Sequence, residues 1–358
     1  MGLLAGACTT APAIKTDRGE AEQPASAPSI RIVRNDAEQK VDVLVDGQPF
    51  TSYLYSDQIS VLKKPVIYPV RTPKGNDVTR GFPLKKRAGE RTDHPHQIGF
   101  WLNYGDVNGI DFWGNSDAIT GERVSRMGTI YHRAIKNIDE ENSALEVSCE
   151  WADAQGNVLL IEETRFVFHA CPVCRVIDRI TTLTAASGPV SFTDNKEGMV
   201  AIRVTRALEH PSEKPVTLTD SEGLAVEVPV MDNTGVTGEY CTSEGVRGAA
   251  AWGTRARWVM LTGVVNDEPV TLAILDHPKN VGYPTYWHTR PGKPFKNYGL
   301  FSANPLGQKI FSEGQEELNF ALGDGESTTF RYRLALYSGN VSPEDMESRY
   351  QAFIAKVQ

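Results

Sequence analysis

The chain has 358 residues, 40% hydrophobic and 23% charged, with a formal net charge of −8. That length and balance fit a globular protein of one large domain or two small ones. The acidic balance argues against nucleic acid, whose binding surfaces are basic. No stretch approaches the roughly 18 to 20 uncharged apolar residues that a membrane-spanning helix needs.

The N-terminus reads Gly2-Leu-Leu-Ala-Gly-Ala-Cys8 and is followed by a polar run, Thr9 to Ser29, rich in Ala, Pro, Thr, Ser and Glu. A short apolar run of small residues ending in cysteine has the form of the tail of a bacterial lipoprotein signal. It predicts a lipid anchor at Cys8, residues 1–28 as signal remnant and tether, and a periplasmic or cell-surface location. Membrane contact is expected only through that anchor. The tether is too polar and proline-rich to bury a core.

From Ile30 onward the hydrophobic period is two. Ile30 to Val33 and Val41 to Val45 alternate, with Asp46-Gly47 as the turn signal after them. Leu145 to Trp151 and Val158 to Phe168 are joined across Asp153 to Asn157. Val176 to Leu183, Val190 to Phe192, Val216 to Leu218, Trp258 to Val265, Val270 to Leu275 and Phe330 to Leu336 continue the pattern, with a turn at Asn266-Asp267. Short strands in such number, with 31 glycines and 21 prolines, predict an all-β chain: one large antiparallel β-sandwich, jelly-roll-like, over residues 29–358. Ser342-Pro343-Glu344-Asp345 supplies a cap, a first-turn proline and acidic residues for one C-terminal helix. Met346, Tyr350, Phe353 and Ile354 give it an apolar face.

Five cysteines are present. Cys171-Pro-Val-Cys174 has redox or metal spacing, but no second such pair completes a zinc site. A structural disulfide, or thiols buried beside a strand turn, is expected.

Chemistry concentrates in two segments. His94 and His96 lie in Asp-His-Pro-His-Gln-Ile-Gly-Phe-Trp, which runs on to Asn103, Asp106, Asn108, Asp111 and Trp113. His277, Asn280, Trp287, His288 and Arg290 lie in the second. Prolines, glycines and polar groups predict loops on a rigid scaffold, where binding residues commonly reside. Flat rings flanked by carboxylates and amides suit a sugar, rings covering its C–H face and polar groups its hydroxyls. A packed turn with Asn108-Gly109 as its corner is the alternative. Substrate contacts are expected from Asp93, Trp101, Asn108, Trp113, Arg203, His277, Asn280, Trp287, Arg290 and Tyr298.

The segments DHPHQIGFWLNYGDVNGIDFW, DNKEGMVAIRV, AAWGTRARWVML and LDHPKNVGYPTYWHTRPGKPFKNYGLFSANPLG resemble a bacterial family labelled PmoA, or "methane oxygenase". The resemblance covers nearly all of residues 30–340. The chain departs from it at Gln97, where that family tends to another histidine, and in an insertion around Pro291 to Lys296. The resemblance implies a β-sandwich and company with sugar-metabolising proteins. The label itself clashes with a chain that lacks a membrane-spanning stretch.

The function expected is cleavage of a glycan or a modified, even oxidised, glycoside, by hydrolysis or by elimination. Hydrolysis needs two carboxyl groups across the bond, for which Asp93, Asp111 and Glu197 are candidates. Glu197 is equally suited to a structural ion pair. Elimination needs a base such as His94, His96 or His288, with Arg290 or Arg203 beside the enolate. A divalent metal on His94, His96 and His288 is a further possibility, although Pro95 spoils the strand geometry that would align the first two. The contrasting class is a glycan-binding surface lipoprotein without catalysis.

Overall fold

A computed structural model of the protein describes Gly2, residues 27–289 and residues 298–357. Cys8, most of the tether and Arg290, together with the insertion from Pro291 to Lys296, lie outside the described residues.

The architecture is an all-β antiparallel sandwich of two eight-stranded sheets with a C-terminal helix. The first sheet runs, edge to edge, Ile30–Asn35, Lys40–Val45, Gln48–Leu54, Val66–Ile67, Phe100–Tyr104, Gly198–Arg203, Leu300–Asn304, Tyr286–Thr289. The second runs Glu239–Thr242, Trp258–Val265, Glu268–Asp276, Ser327–Ser338, Cys174–Ala185, Val158–Cys171, Ala144–Ala152, Thr129–Asp139. Between them lies the core: Phe100, Leu102, Val200, Ile202, Phe301 and Trp287 from the first sheet, against Trp151, Phe166, Leu183, Leu272, Ile274 and Leu334 from the second.

The local signals behave as their chemistry requires. Asp46 and Gly47 both take positive φ at the hairpin they close, as do Asn266 and Asp267. Asp153 accepts the backbone N–H groups of Gln155 and Asn157, fixing the turn before Val158. Ser342 accepts from the Asp345 N–H at the start of the helix Pro343–Lys356. That helix buries Met346, Tyr350 and Phe353 on the outer face of the second sheet, against Trp258, Leu275 and Tyr337. Cys171 and Cys174 form a disulfide, and Cys149 and Cys241 are buried free thiols.

The first sheet departs from the expected pattern in its second half. Phe100–Tyr104, Gly198–Arg203, Leu300–Asn304 and Tyr286–Thr289 are buried at every position. One face meets the core. The other is covered by long connections, so these strands show no alternation of apolar and polar residues. Both segments read from sequence as loops therefore contain a strand. Gly99 makes the entry to one of them possible: at φ +62 its backbone runs against Ile67, and a Cβ there would lie 2.3 Å from the Ile67 carbonyl oxygen.

Candidate functional site

The covered face of the first sheet carries the candidate site. Register puts His288 opposite Ser302, Ser302 opposite Ala201, and Ala201 opposite Trp101. Paired residues point to the same side, so these four form one row on the face away from the core. At strand spacings of about 4.8 Å the row spans about 14 Å.

At one end of this face two guanidiniums share a carboxylate. Arg203 donates from Nη2 to Asp93 at 2.5 Å and from Nη1 to Gln97 Oε1 at 2.5 Å. Arg80 donates to the same Asp93 oxygen at 3.0 Å and to the main-chain oxygens of Asp93, His94 and Gln97. Both arginines are buried. Despite its own burial, Asp93 is held well below the usual carboxylate range by Arg203, by the His94 ring nitrogen 3.3 Å away and by Arg80. Burial and the like charge of Arg203 lower Arg80 to about 9. Tyr298 lies under Arg203, 4.7 Å from ring centre to guanidinium carbon, and stacks on the His94 ring at 4.5 Å. This clamp fixes the 93–97 loop, with His94 at positive φ, over the sheet.

The loop delivers His96 next to a residue that sequence reading missed. Lys64 is only 5% exposed. Its Nζ donates to the His96 main-chain oxygen at 2.7 Å and stands 5.2 Å from the Trp101 ring centre. Burial draws the Lys64 pKa down to about 7, offset in part by the negative charge of Asp111. Burial, with the positive charges of Lys64, His94, Arg80 and Arg203, keeps the half-buried His96 well below the usual histidine range. Lys64 left one trace in the sequence: it lies in Val61-Leu-Lys-Lys-Pro-Val-Ile67, a lysine pair inside an apolar run.

One carboxylate, Asp111, acts on Lys64, and a second, Glu197, acts on Asp111. Asp111 Oδ1 accepts the N–H groups of Trp113 and Gly114 at 2.8 Å. Its pKa is raised, chiefly by burial and also by the charge of Glu197. Glu197 heads the strand Gly198–Arg203 and pairs with Lys196, so its salt-bridge reading is met while its carboxylate also reaches Asp111 electrostatically.

Other expected contacts are placed differently. Trp101 and Trp113 are 0% and 3% exposed and pack on each other at 5.4 Å. Trp101 also donates to Asn103, so these rings wall the site rather than offer an open platform. Trp287 points into the core, its Nε1 donating to the Ala256 oxygen. Asn108 is the exposed hairpin corner, with positive φ and its amide tied to Pro189 and Ser191. His277 packs against Phe353 of the C-terminal helix, and Asn280 links Asp276 to Arg331. Both lie in the turn that follows the second-sheet strand Glu268–Asp276, because the second segment crosses from one sheet to the other. His288 is fully buried, with Phe311 5.9 Å away.

The His94 and His96 rings are 5.6 Å apart and nearly perpendicular. Among the described residues no three His, Cys, Asp or Glu side chains group as metal ligands. The trio His94, His96 and His288 is not brought together.

A model of a family of unknown function, DUF6807, matches residues 40–351. The chain belongs to this family. That match corrects the resemblance to the PmoA-labelled proteins, for which no family match stands. Functionally curated proteins give no match. Among solved structures, the galactosidase domain of an α-galactosidase–sucrose kinase is similar at 9% identity and TM-score 0.38, over 86% of this chain and 42% of that one. A GH36 α-galactosidase, AgaB, from Geobacillus stearothermophilus is similar at 11% identity and TM-score 0.37, over 86% of this chain and 40% of that one. The heparan sulfate lyase HepC from Pedobacter heparinus follows at 8% identity and TM-score 0.35, over 90% and 38%. The DUF6807 chain thus spans about two fifths of the length of these three chains.

Proposed function

We propose that this DUF6807 protein is a carbohydrate-active enzyme that cleaves a glycan or a modified glycoside, using acid–base groups around Lys64, His96 and Trp101. The observation that carries the reading is Lys64, a lysine 5% exposed whose amine meets Trp101 and the His96 backbone. Burying an ammonium group costs stability, and a pKa of about 7 leaves the amine divided between its two protonation states near neutral pH. Such a group can take and return a proton. His96, kept neutral, is a second base beside it.

These bases favour elimination. A base removes the proton from the sugar carbon beside a carbonyl or carboxyl group, and the electron pair moves onto that oxygen as an enolate. The enolate then collapses to a C=C bond as the neighbouring C–O bond breaks, and the departing oxygen takes a proton from the conjugate acid of Lys64 or His96. Arg203, with both Nη atoms taken by Gln97 and Asp93, would contribute its field rather than a contact. A hydrolytic reading has its own support in Asp111, whose raised pKa suits a general acid, with Glu197 near enough to interact with it.

Product analysis on a panel of glycans separates these readings. Elimination leaves an unsaturated, ultraviolet-absorbing sugar, and hydrolysis in heavy-oxygen water leaves a labelled hydroxyl. A panel that binds without cleavage makes the protein a binder. A lipid anchor at Cys8 and a periplasmic or surface site belong to the same proposal, tested by fatty-acid labelling that a Cys8→Ala variant loses.

A further inference from the structure

Two adjoining cavities lie along the edge strand Thr129–Asp139, away from the Arg203–Asp93 clamp. The first measures about 320 Å³ and is lined by Tyr55, Asp57, Lys63, Lys64, Tyr131 and His132, among others. The second measures about 510 Å³ and includes Lys63, Asn115, Asp117, Thr129 and Tyr131. They share Lys63, Thr129 and Tyr131, so they form one trough divided by a tyrosine. Lys64, whose amine reaches His96 and Trp101, lines the first cavity as well, which joins the trough to the candidate site.

The strand explains the tyrosine. Ile130 is buried, and Tyr131, next to it, faces outward at 44% exposure. The pairing with Ala144–Ala152 shifts register between His132 and Ala134, a bulge of the kind that re-aims side chains at a sheet edge. Arg133 covers one side of the Tyr131 ring, 5.1 Å from its centre. In the first cavity the Tyr55 and His132 rings lie 4.1 Å apart. His132 is anchored by Tyr53, whose hydroxyl is 3.0 Å from Nδ1, and burial holds it neutral at neutral pH, with a pKa of about 4. Both volumes are of the size that takes a sugar ring or two. The lining charges balance, with Lys63, Lys64 and Arg133 against Asp57, Asp117 and Asp153. That excludes the one-signed field a polyanion would need.

We infer that this trough binds several units of a neutral glycan chain, with Tyr131 as the platform between two sugar positions and Tyr55 and His132 lining the nearer one. The link to cleavage rests on the function proposed above, whereas the binding itself does not. Exposed aromatic faces hold sugar C–H faces, and polar lining groups such as those of Asp57 and Lys63 bond sugar hydroxyls.

Titration calorimetry with xylohexaose, mannohexaose and cellohexaose, each against its disaccharide, tests the inference on the full chain. At least one hexaose should bind about tenfold more tightly than its disaccharide. Tyr131→Ala should weaken that hexaose about tenfold, on the scale of one lost ring contact, and Tyr131→Phe should keep most of the affinity. The thermal midpoint should not move, because Tyr131 is exposed. Failure of all three hexaoses to bind, or equal binding by Tyr131→Ala, overturns the inference, as does tighter binding of an oligouronate of the same length. Hexaose binding with no product would leave the trough and remove the hydrolytic reading alone, because none of the three hexaoses carries the internal carbonyl or carboxyl group that elimination needs. Cleavage whose KM ignores both chain length and Tyr131→Ala would remove the trough and leave the enzyme.

Discussion

The Lys64 amine donates to the main-chain oxygen of His96 at 2.7 Å, tying a buried cation on one loop to the histidine loop that crosses it. The arrangement is costly. A lysine with a folded-state pKa of about 7 and an unfolded value near 10.4 binds fewer protons folded than unfolded between those values. Stability therefore rises with pH across that window, and the full penalty stands below about pH 7.

Lys64→Met should remove the penalty. Chemical denaturation at pH 6 should show the variant more stable by about 1–3 kcal/mol, the loss of one hydrogen bond offsetting part of the gain. The advantage should shrink towards pH 10. A variant less stable than the parent at pH 6 would mean that the amine is held for structural reasons.

Asp93 has the opposite sign. Its pKa is depressed in the folded state by the two arginines and His94, so its contribution is present above the unfolded value near 3.9 and is lost as pH falls below it. Asp93→Ala leaves Arg80 and Arg203 buried without their shared carboxylate and should cost about 3–5 kcal/mol at pH 7. Denaturant melts at pH 7 and pH 3 should show a difference smaller by roughly 1 kcal/mol at the lower pH, where the loss has only begun. Equal costs at both would mean that the charge of Asp93 is irrelevant to the clamp.

The two histidines expected to act together should separate. His288→Ala empties a fully buried position on a sheet strand and should lower stability by about 1–3 kcal/mol. His96→Ala, on a half-buried loop, should cost less than about 1 kcal/mol and act on turnover instead. Thermal melts and turnover measured on the same samples check both. An intact melting curve for His288→Ala, together with lost activity, would restore it to the site.

The disulfide Cys171–Cys174 closes the turn between two long hairpin strands. A loop this short removes little unfolded-state entropy, so reduction should cost no more than about 2 kcal/mol and leave activity unchanged. Melts with and without reductant measure it, and inactivation on reduction would assign the pair a chemical role.

How much of this was legible in the sequence depended on solvent. The second sheet alternates because one face of many of its strands is partly wet. Lys40–Val45 does likewise at the open edge of the first sheet, and each of these strands could be read by its period. Phe100–Tyr104 and Tyr286–Thr289 are dry on both faces, so their residues read as aromatic-rich loop. The inference of exposed sugar platforms followed from that misreading, and Trp101, Trp113 and Trp287 are instead walls and core. Asp93, Arg203, Tyr298, His94 and His96 were drawn from separate stretches by residue type, and folding brings them together. Lys64 and Arg80 were missed because a buried cation looks, in sequence, like any surface one.

The most direct test of the account is the pH dependence and the product of glycan cleavage by the parent and by Lys64→Met, compared on the same polysaccharide panel. If Lys64 is the base, kcat/KM of the parent should rise through about pH 7 as the amine loses its proton. The product should carry a new C=C bond, and folded Lys64→Met should lose at least about a hundredfold in rate. A saturated, water-derived product formed equally fast by Lys64→Met would contradict the assignment and move the chemistry to Asp111 and Glu197.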